Sequence, residues 1–188
     1  MKLEIRTFIA IKIQPEEKLQ KLLLFLKRNL NEERIKWVGD DNLHLTLRFL
    51  GDTNLNQVKA LSEKLESVAL RFNSFGFDIV GTGFFKNKGQ PQVLFVNSNG
   101  FEKIQPLVNE IEEVITSLGF EKEFRPFKPH MTIGRIKFLK DKRRFYNIVD
   151  EVKDIELQKV SVGEFVLYQS ILRAEGPVYK PLNTFKLK

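Results

Sequence analysis

Leu43-His44-Leu45-Thr46-Leu47-Arg48-Phe49 alternates strictly between apolar and polar residues. In a β-strand, side chains two apart share a face. The alternation therefore predicts a strand that sends Leu43, Leu45, Leu47 and Phe49 into a core and presents His44, Thr46 and Arg48 in a row on the other face. The chain holds two histidines. The second lies in Pro129-His130-Met131-Thr132-Ile133-Gly134-Arg135, where the same order recurs: His, apolar, Thr, apolar. His130 and Thr132 again share a face, with Met131 and Ile133 on the other. One such histidine is adequately explained as a polar position on an amphipathic strand. Both histidines of one chain in the same His-x-Thr-x pattern point instead to a matched pair. Imidazole has an unperturbed pKa of about 6.5, so one ring can act as base and the other as acid at the same pH. Thr46 and Thr132 would supply hydroxyl donors to a charged oxygen.

The 188 residues suffice for one domain or two closely joined lobes with a proper core. Apolar residues make up 42% and charged residues 29%, the balance of an ordinary globular protein. With 17 Phe against one Trp and three Tyr, a Phe-rich core is expected. Glu4, Arg6 and Lys12 interrupt the first apolar stretch, which is unlike a signal peptide. No apolar run approaches the ~18 residues that span a membrane. The expectation is a soluble cytoplasmic protein, without membrane contact and monomeric. There is no cysteine, which removes disulfides, thiolate nucleophiles and thiolate zinc sites. The histidines lie 86 positions apart, outside any local metal-binding set, so no metal or other cofactor is expected. A net charge of +7 favours polyanionic partners, and also fits a merely Lys-rich surface.

Leu3 to Ile13 reads as a central strand, apolar on both faces. Pro15 suits the first position of a helix that buries Leu19, Leu22, Leu23, Leu26 and Leu30. A short strand spans Ile35 to Val38, and the turn Gly39 to Asn42 delivers the chain into the first His strand. Asn54 with Gln57 nearly makes a capping box, opening a helix with Leu55, Val58, Leu61, Leu65, Val68 and Phe72 on its apolar face. Phe75 to Phe85 is a strand whose Gly81 and Gly83 imply a bulge or a close approach. Lys86 to Pro91 reads as a basic loop, Val93 to Val96 as a strand and Asn97 to Gly100 as a turn. A helix from Phe101 to Leu118 ends at Gly119. Stiff, extended Phe124 to Pro129 leads into the second His strand. Lys137 to Arg144 is either a solvated loop and helix start or a groove for a nucleic-acid backbone. A short helix around Phe145 to Val152 follows, then strands near Ile155–Val162, Glu164–Leu172 and, after the turn Gly176-Pro177, Val178–Lys188.

Strands and helices mix without strict β-α-β alternation, so the fold class is α+β with largely antiparallel sheet. Strand, helix and His strand occur in both halves, which suggests two related lobes in a single catalytic domain, 1–188. A pseudo-twofold between them would set the two His strands facing each other across a cleft. Two imidazoles, two hydroxyls and basic residues, with neither metal nor thiolate, suit in-line displacement at phosphorus. A phosphodiester activated by ring strain is the natural substrate class.

At this level of detail the sequence resembles the two-histidine (2H) phosphoesterases, in particular the RNA 2',3'-cyclic phosphodiesterases, also called 2'-5' RNA ligases. The resemblance spans nearly the whole chain. It rests on Arg6-Thr7-Phe8-Ile9-Ala10-Ile11, on Asn42 to Gly51, on Pro129 to Arg135, and on the tail Leu167-Tyr168-Gln169-Ser170 with Gly176-Pro177-Val178-Tyr179. It implies a bilobal fold with a pseudo-twofold and helices outside. It also implies metal-independent opening of a 2',3'-cyclic phosphate at an RNA end to a 2'-phosphate, with 2'-5' ligation of tRNA halves as a related reaction. Carried onto this chain, His44 and His130 are the acid–base pair, Thr46 and Thr132 phosphate donors, and Arg135 a phosphate-side arginine. His44 would be acid to the leaving 3'-oxygen and His130 base to water. Where many relatives carry an arginine on the strand Gln92 to Val96, this chain has Gln92. Tyr168 and Ser170 are weaker candidates for substrate contact and read more readily as structural. Cyclic ADP-ribose phosphate or 2'-5' oligoadenylate as substrate, and an RNA-end-binding protein without turnover, are the alternatives.

Overall fold

Strand pairing dominates the architecture. A computed structural model describes residues 4–174 and 176–188, so Leu3, where the first strand is expected to begin, lies outside the described residues. The chain runs β1 (Glu4–Lys12), α1 (Glu17–Asn29), β2 (Arg34–Trp37), β3 (His44–Asn54), α2 (Leu55–Ala69), β4 (Phe75–Asn87), β5 (Gln90–Asn99), α3 (Phe101–Ser117), β6 (His130–Phe138), α4 (Lys142–Glu151), β7 (Glu156–Val162), β8 (Glu164–Leu172) and β9 (Pro177–Lys186). These nine strands join one sheet in the order β7-β4-β5-β6-β3-β1-β8-β9, with β2 against β6. Every pairing is antiparallel. The α+β expectation holds, with the two halves merged into one curled sheet rather than separate sheets.

The join between the halves is thin. β3 and β6 meet through a single residue pair, Leu45 opposite Met131. Each of these residues directly follows a histidine. The local twofold of the sheet therefore passes between the two His-x-Thr-x motifs. On one side β3 is backed by β1, β8 and β9; on the other β6 is backed by β5, β4 and β7.

The helices cover one face and leave the other open. Leu22, Leu26, Leu61, Leu65, Ile104, Ile111, Phe145 and Val149 are their buried stripes. They pack on the inward residues of the sheet, such as Ile9, Ile11, Leu45, Leu94 and Ile133. Each such side chain contributes on the order of 2 kcal/mol when fully buried. Leu, Ile and Val fill most of this core. Phe145, Phe165 and Phe185 are buried, but Phe49, Phe101, Phe124 and Phe138 are exposed, so the Phe-rich expectation holds only in part.

Local chemistry sets the boundaries. Asn54 and Gln57 form a complete capping box at α2, while Leu55, expected on its apolar face, is exposed. Glu16, not Pro15, precedes the first turn of α1. The expected loop Lys86–Pro91 shrinks to a two-residue turn at Lys88 (φ 49°) and Gly89 (φ 75°), whose paired positive φ values suit a tight hairpin. Asn97 to Asn99, expected as a turn, continue β5 opposite Asp78 to Val80. Only Gly100 (φ 113°) turns the chain into α3. Gly81 (φ 42°) sits at a bulge in β4. A Cβ there would stand 1.6 Å from the Lys153 carbonyl oxygen, so that position requires glycine. Among the described residues no helix is long and apolar enough to cross a membrane.

Candidate active site

The open face of the sheet carries both histidines. Paired residues of an antiparallel ladder point to the same side. Lys12 lies opposite His44 and Ala10 opposite Thr46; Asn97 lies opposite His130 and Phe95 opposite Thr132. With Leu45 facing Met131, antiparallel register sets His44 across from Thr132 and His130 across from Thr46. The two histidines are then diagonal neighbours, with Cα atoms roughly 7–8 Å apart. Imidazoles and hydroxyls alternate around one spot of the sheet.

Each imidazole is held in the same way. The Nδ1–H of His44 donates to the Asn42 carbonyl oxygen at 2.6 Å, and the Nδ1–H of His130 to the Lys128 carbonyl oxygen at 2.7 Å. A carbonyl can only accept, so the bond fixes the tautomer and leaves Nε2 to the cleft. Aromatic rings brace each imidazole. Phe8 and Tyr179 both lie 5.1 Å from His44, the tyrosine edge-on. Phe85 and Phe95 lie 4.8 and 5.4 Å from His130, both edge-on. Gly83 makes room on that side, since a Cβ there would come within 2.7 Å of the Phe95 ring.

These surroundings lower both imidazole pKa values. Burial is the main cause for His44, with the Arg135 guanidinium and the His130 ring adding to it and the Asn42 bond opposing. Burial alone lowers His130, against its bond to Lys128. Because His44 senses the charge of His130, a proton on one ring disfavours a proton on the other. A singly protonated pair holds an acid and a base together.

Two β-bulges decide what else enters the cleft. Ile9 pairs with Arg48 and Ala10 with Thr46, which leaves Leu47 as the extra residue. Leu47 and Arg48 then both point to the helical side. The expected row His44, Thr46, Arg48 is therefore broken. Arg48 Nε donates to Glu112 Oε2 on α3 at 2.7 Å, and the guanidinium also binds the carbonyls of Phe49 and Glu121. Phe49, expected in the core, takes the cleft position opposite Phe8 and is 61% exposed. In β6, Leu94 pairs with Gly134 and Phe95 with Thr132, so Ile133 is the extra residue. Arg135 thereby comes to the cleft side, opposite Val93 and Lys36, near enough to add to the lowering of the His44 pKa by burial and to oppose the rise that burial gives the Tyr179 hydroxyl.

Thus His44, Thr46, His130, Thr132 and Arg135 come together. Gln92 does not join them: it is the unpaired residue between Val93 and Pro91 on β5 and lines a separate groove. Tyr168 stacks on Phe8 at 5.2 Å and supports the His44 ring indirectly; Ser170 pairs with Tyr179. Sequence reading missed Phe8, Tyr179, Phe85 and Phe95 as braces. Their signal was present for Phe8 and Phe95, which each alternate with core residues on the strand beside a His strand. Among the described residues no group of three or more His, Asp or Glu side chains gathers as a metal site would require.

A cleft of two imidazoles, two hydroxyls and a guanidinium on a pseudo-twofold defines a phosphoester-processing class of site. The chain belongs to the LigT-like phosphoesterase family, whose model matches it twice, over residues 11–95 and 94–179. Each match contains one of the two His-x-Thr-x motifs. An RNA 2',3'-cyclic phosphodiesterase of Thermotoga maritima is 34% identical over 94% of this chain and 92% of its own. One of Aeropyrum pernix is 35% identical over 81% and 86%. Among solved structures, a protein of Thermus thermophilus superposes with a TM-score of 0.80 at 27% identity, covering 97% of this chain and 98% of that one. Escherichia coli LigT complexed with 3'-AMP gives 0.77 at 25% identity, covering 99% of both chains.

Proposed function

We propose that this protein hydrolyses 2',3'-cyclic phosphate ends of RNA to 2'-phosphates, with His44 and His130 as acid and base. The observation that carries this reading is the matched fixing of both Nδ1 atoms, which leaves the Nε2 atoms of two histidines on neighbouring strands free for proton transfer on the same face of the sheet. Nε2 of His130 takes a proton from water. The water oxygen bonds to phosphorus opposite the 3'-oxygen. The bond from phosphorus to the 3'-oxygen breaks, and that oxygen takes the proton from Nε2 of His44. The product is a 2'-phosphate beside a 3'-hydroxyl, and solvent exchange resets the two protons. Thr46, Thr132 and Arg135 hold the non-bridging oxygens, where charge develops. The exposed Phe49 offers a ring face for the terminal base. Relatives named RNA 2',3'-cyclic phosphodiesterase and a LigT structure holding 3'-AMP support the substrate class. A 5'-hydroxyl in place of water would give a 2'-5' linkage, such as one joining tRNA halves, by the same two transfers.

The test is a short RNA with a 2',3'-cyclic phosphate, incubated with the protein in EDTA. A 2'-phosphate product fixes reaction, regiochemistry and metal independence together. A 3'-phosphate product, or turnover only with added metal, contradicts the mechanism.

A further inference from the structure

The cleft accounts for one phosphate and one base, while most of the surplus positive charge lies outside it. Three ways lead out along the open face. Beyond His44 the surface is lined by Lys12, Asp41 and Glu164, where carboxylates would meet a phosphate backbone. Beyond Phe49, Arg6 stands opposite Asp52 on the neighbouring strand. The third way follows β6. Past the Ile133 bulge Arg135 lies on the cleft side, and Lys137 is the unpaired residue between Ile136 and Phe138 where β2 pairs with β6. Lys137 opens into a groove with Phe138, Lys142, Gln90 and Gln92. Lys137 and Lys142 are exposed, and neither is in an ion pair among the described residues. Lys140 between them is instead held by Glu32. Phe138 is 59% exposed.

We propose that RNA upstream of the cyclic end leaves the cleft along β6 and binds in this groove. The proposal rests on the reading of the cleft as an RNA-end phosphoesterase site and names its substrate as a chain rather than a mononucleotide. Lys137 and Lys142 contact phosphates, Phe138 stacks on a base, and Gln90 and Gln92 offer polar contacts to sugar or base. A basic track interleaved with an aromatic ring is how single strands are held without sequence preference. From Thr132 to Lys137 the strand advances roughly 13 Å, the Ile133 bulge taking up one step, which separates the groove from the reacting phosphorus. The groove therefore serves affinity and leaves the chemistry to the cleft. The sequence Lys137 to Arg144 thus divides: Lys137 and Lys142 belong to the track, while Lys140 and the Asp141 cap of α4 hold the fold.

The test compares a 2',3'-cyclic mononucleotide with an oligoribonucleotide ending in the same group, for wild type and the double variant Lys137→Glu/Lys142→Glu. The variant is expected to lose about five- to tenfold in kcat/KM on the oligonucleotide, through KM, and nothing on the mononucleotide. The slope of log kcat/KM against log salt for the oligonucleotide should flatten by about 1.4, or 0.7 per lost contact to a single strand. Lys18→Glu/Lys59→Glu, an equal charge change on the helical face, should leave both substrates unaffected. Equal losses on both substrates, no loss on either, or the same loss in the helical-face variant would overturn the groove. Wild-type protein that turns over the mononucleotide but not the oligonucleotide would also overturn it. Turnover of neither substrate would overturn the proposed activity itself, and the groove as a substrate path with it.

Discussion

In β3 the third residue after His44, Leu47, is the unpaired residue of a bulge; in β6 the third residue after His130, Ile133, is its counterpart. Each histidine bonds the carbonyl two residues upstream, and the residues just after them, Leu45 and Met131, meet at the twofold. The backbone of the two strands is the same device used twice. The side chains that device delivers differ. The fourth residue goes to the helical side: Arg48 reaches Glu112 in one half, while Gly134 leaves space for Ile35 and Trp37 in the other. The fifth comes to the cleft: Phe49 in one half, Arg135 in the other. A symmetric frame thus carries an apolar platform on one side and a fixed charge on the other. The difference makes the two imidazoles unequal, because the Arg135 charge acts on His44; in the proposed mechanism this inequality divides acid from base.

The largest effects should come from breaking the frame at its shared element. His44→Ala and His130→Ala should each lower kcat/KM by about 10²–10⁴, with an unchanged circular dichroism spectrum. The double variant should cost little more than either single one, since the two act as a unit. Arg135→Ala should come next, at about a hundredfold and mainly in kcat, as removing one charge-stabilising donor does. Phe49→Ala at the matched position should act on KM instead. Steady-state kinetics on one cyclic substrate separates the two, and equal kcat losses would erase the contrast between the halves.

Arg48→Ala sharpens the comparison from the other side. Its charge-assisted bonds hold α3 and the Glu121 segment to β3, so the loss should be about 1.5–3 kcal/mol of stability in urea unfolding, with kcat retained. A lost kcat in a stable Arg48→Ala protein would restore the row that simple alternation predicts. The smallest effect is in titration. Both histidines are held below their ordinary value of 6.5, so both are mostly neutral in the free protein at neutral pH. Protonating them then favours the unfolded chain. Their contribution to stability is fully present above pH 6.5 and is lost as pH falls through the folded values. NMR titration should give both midpoints below 6.5, rising when inorganic phosphate fills the cleft. A midpoint above 6.5 in the phosphate-free protein would reverse that sign.

The alternation around His44 and His130 was enough to place both strands, both histidines and both threonines, because a period of two survives wherever one face is buried. It failed where the backbone departs from that period. Reading through Leu47 at a constant period sends Arg48 to the cleft and Phe49 to the core, and a bulge leaves no local mark when its residue is an ordinary leucine. Asn97 to Asn99 read as a turn because such residues favour turns, yet Asn97 is polar because it lies beside His130 on an open face. The aromatic braces come from β1, β4, β5 and β9, and their convergence on two imidazoles is a tertiary fact. Arg135 was placed by family resemblance; the Ile133 bulge supplies the physical reason it reaches the cleft.

The most direct test of the division of labour uses a 2',3'-cyclic substrate whose 3'-bridging oxygen is replaced by sulfur, a leaving group that needs no proton. Turnover by His44→Ala should recover toward the wild-type rate, while His130→Ala, lacking the base, should stay inactive. Recovery by His130→Ala alone would exchange the two roles, and recovery by neither would contradict acid–base catalysis by this pair.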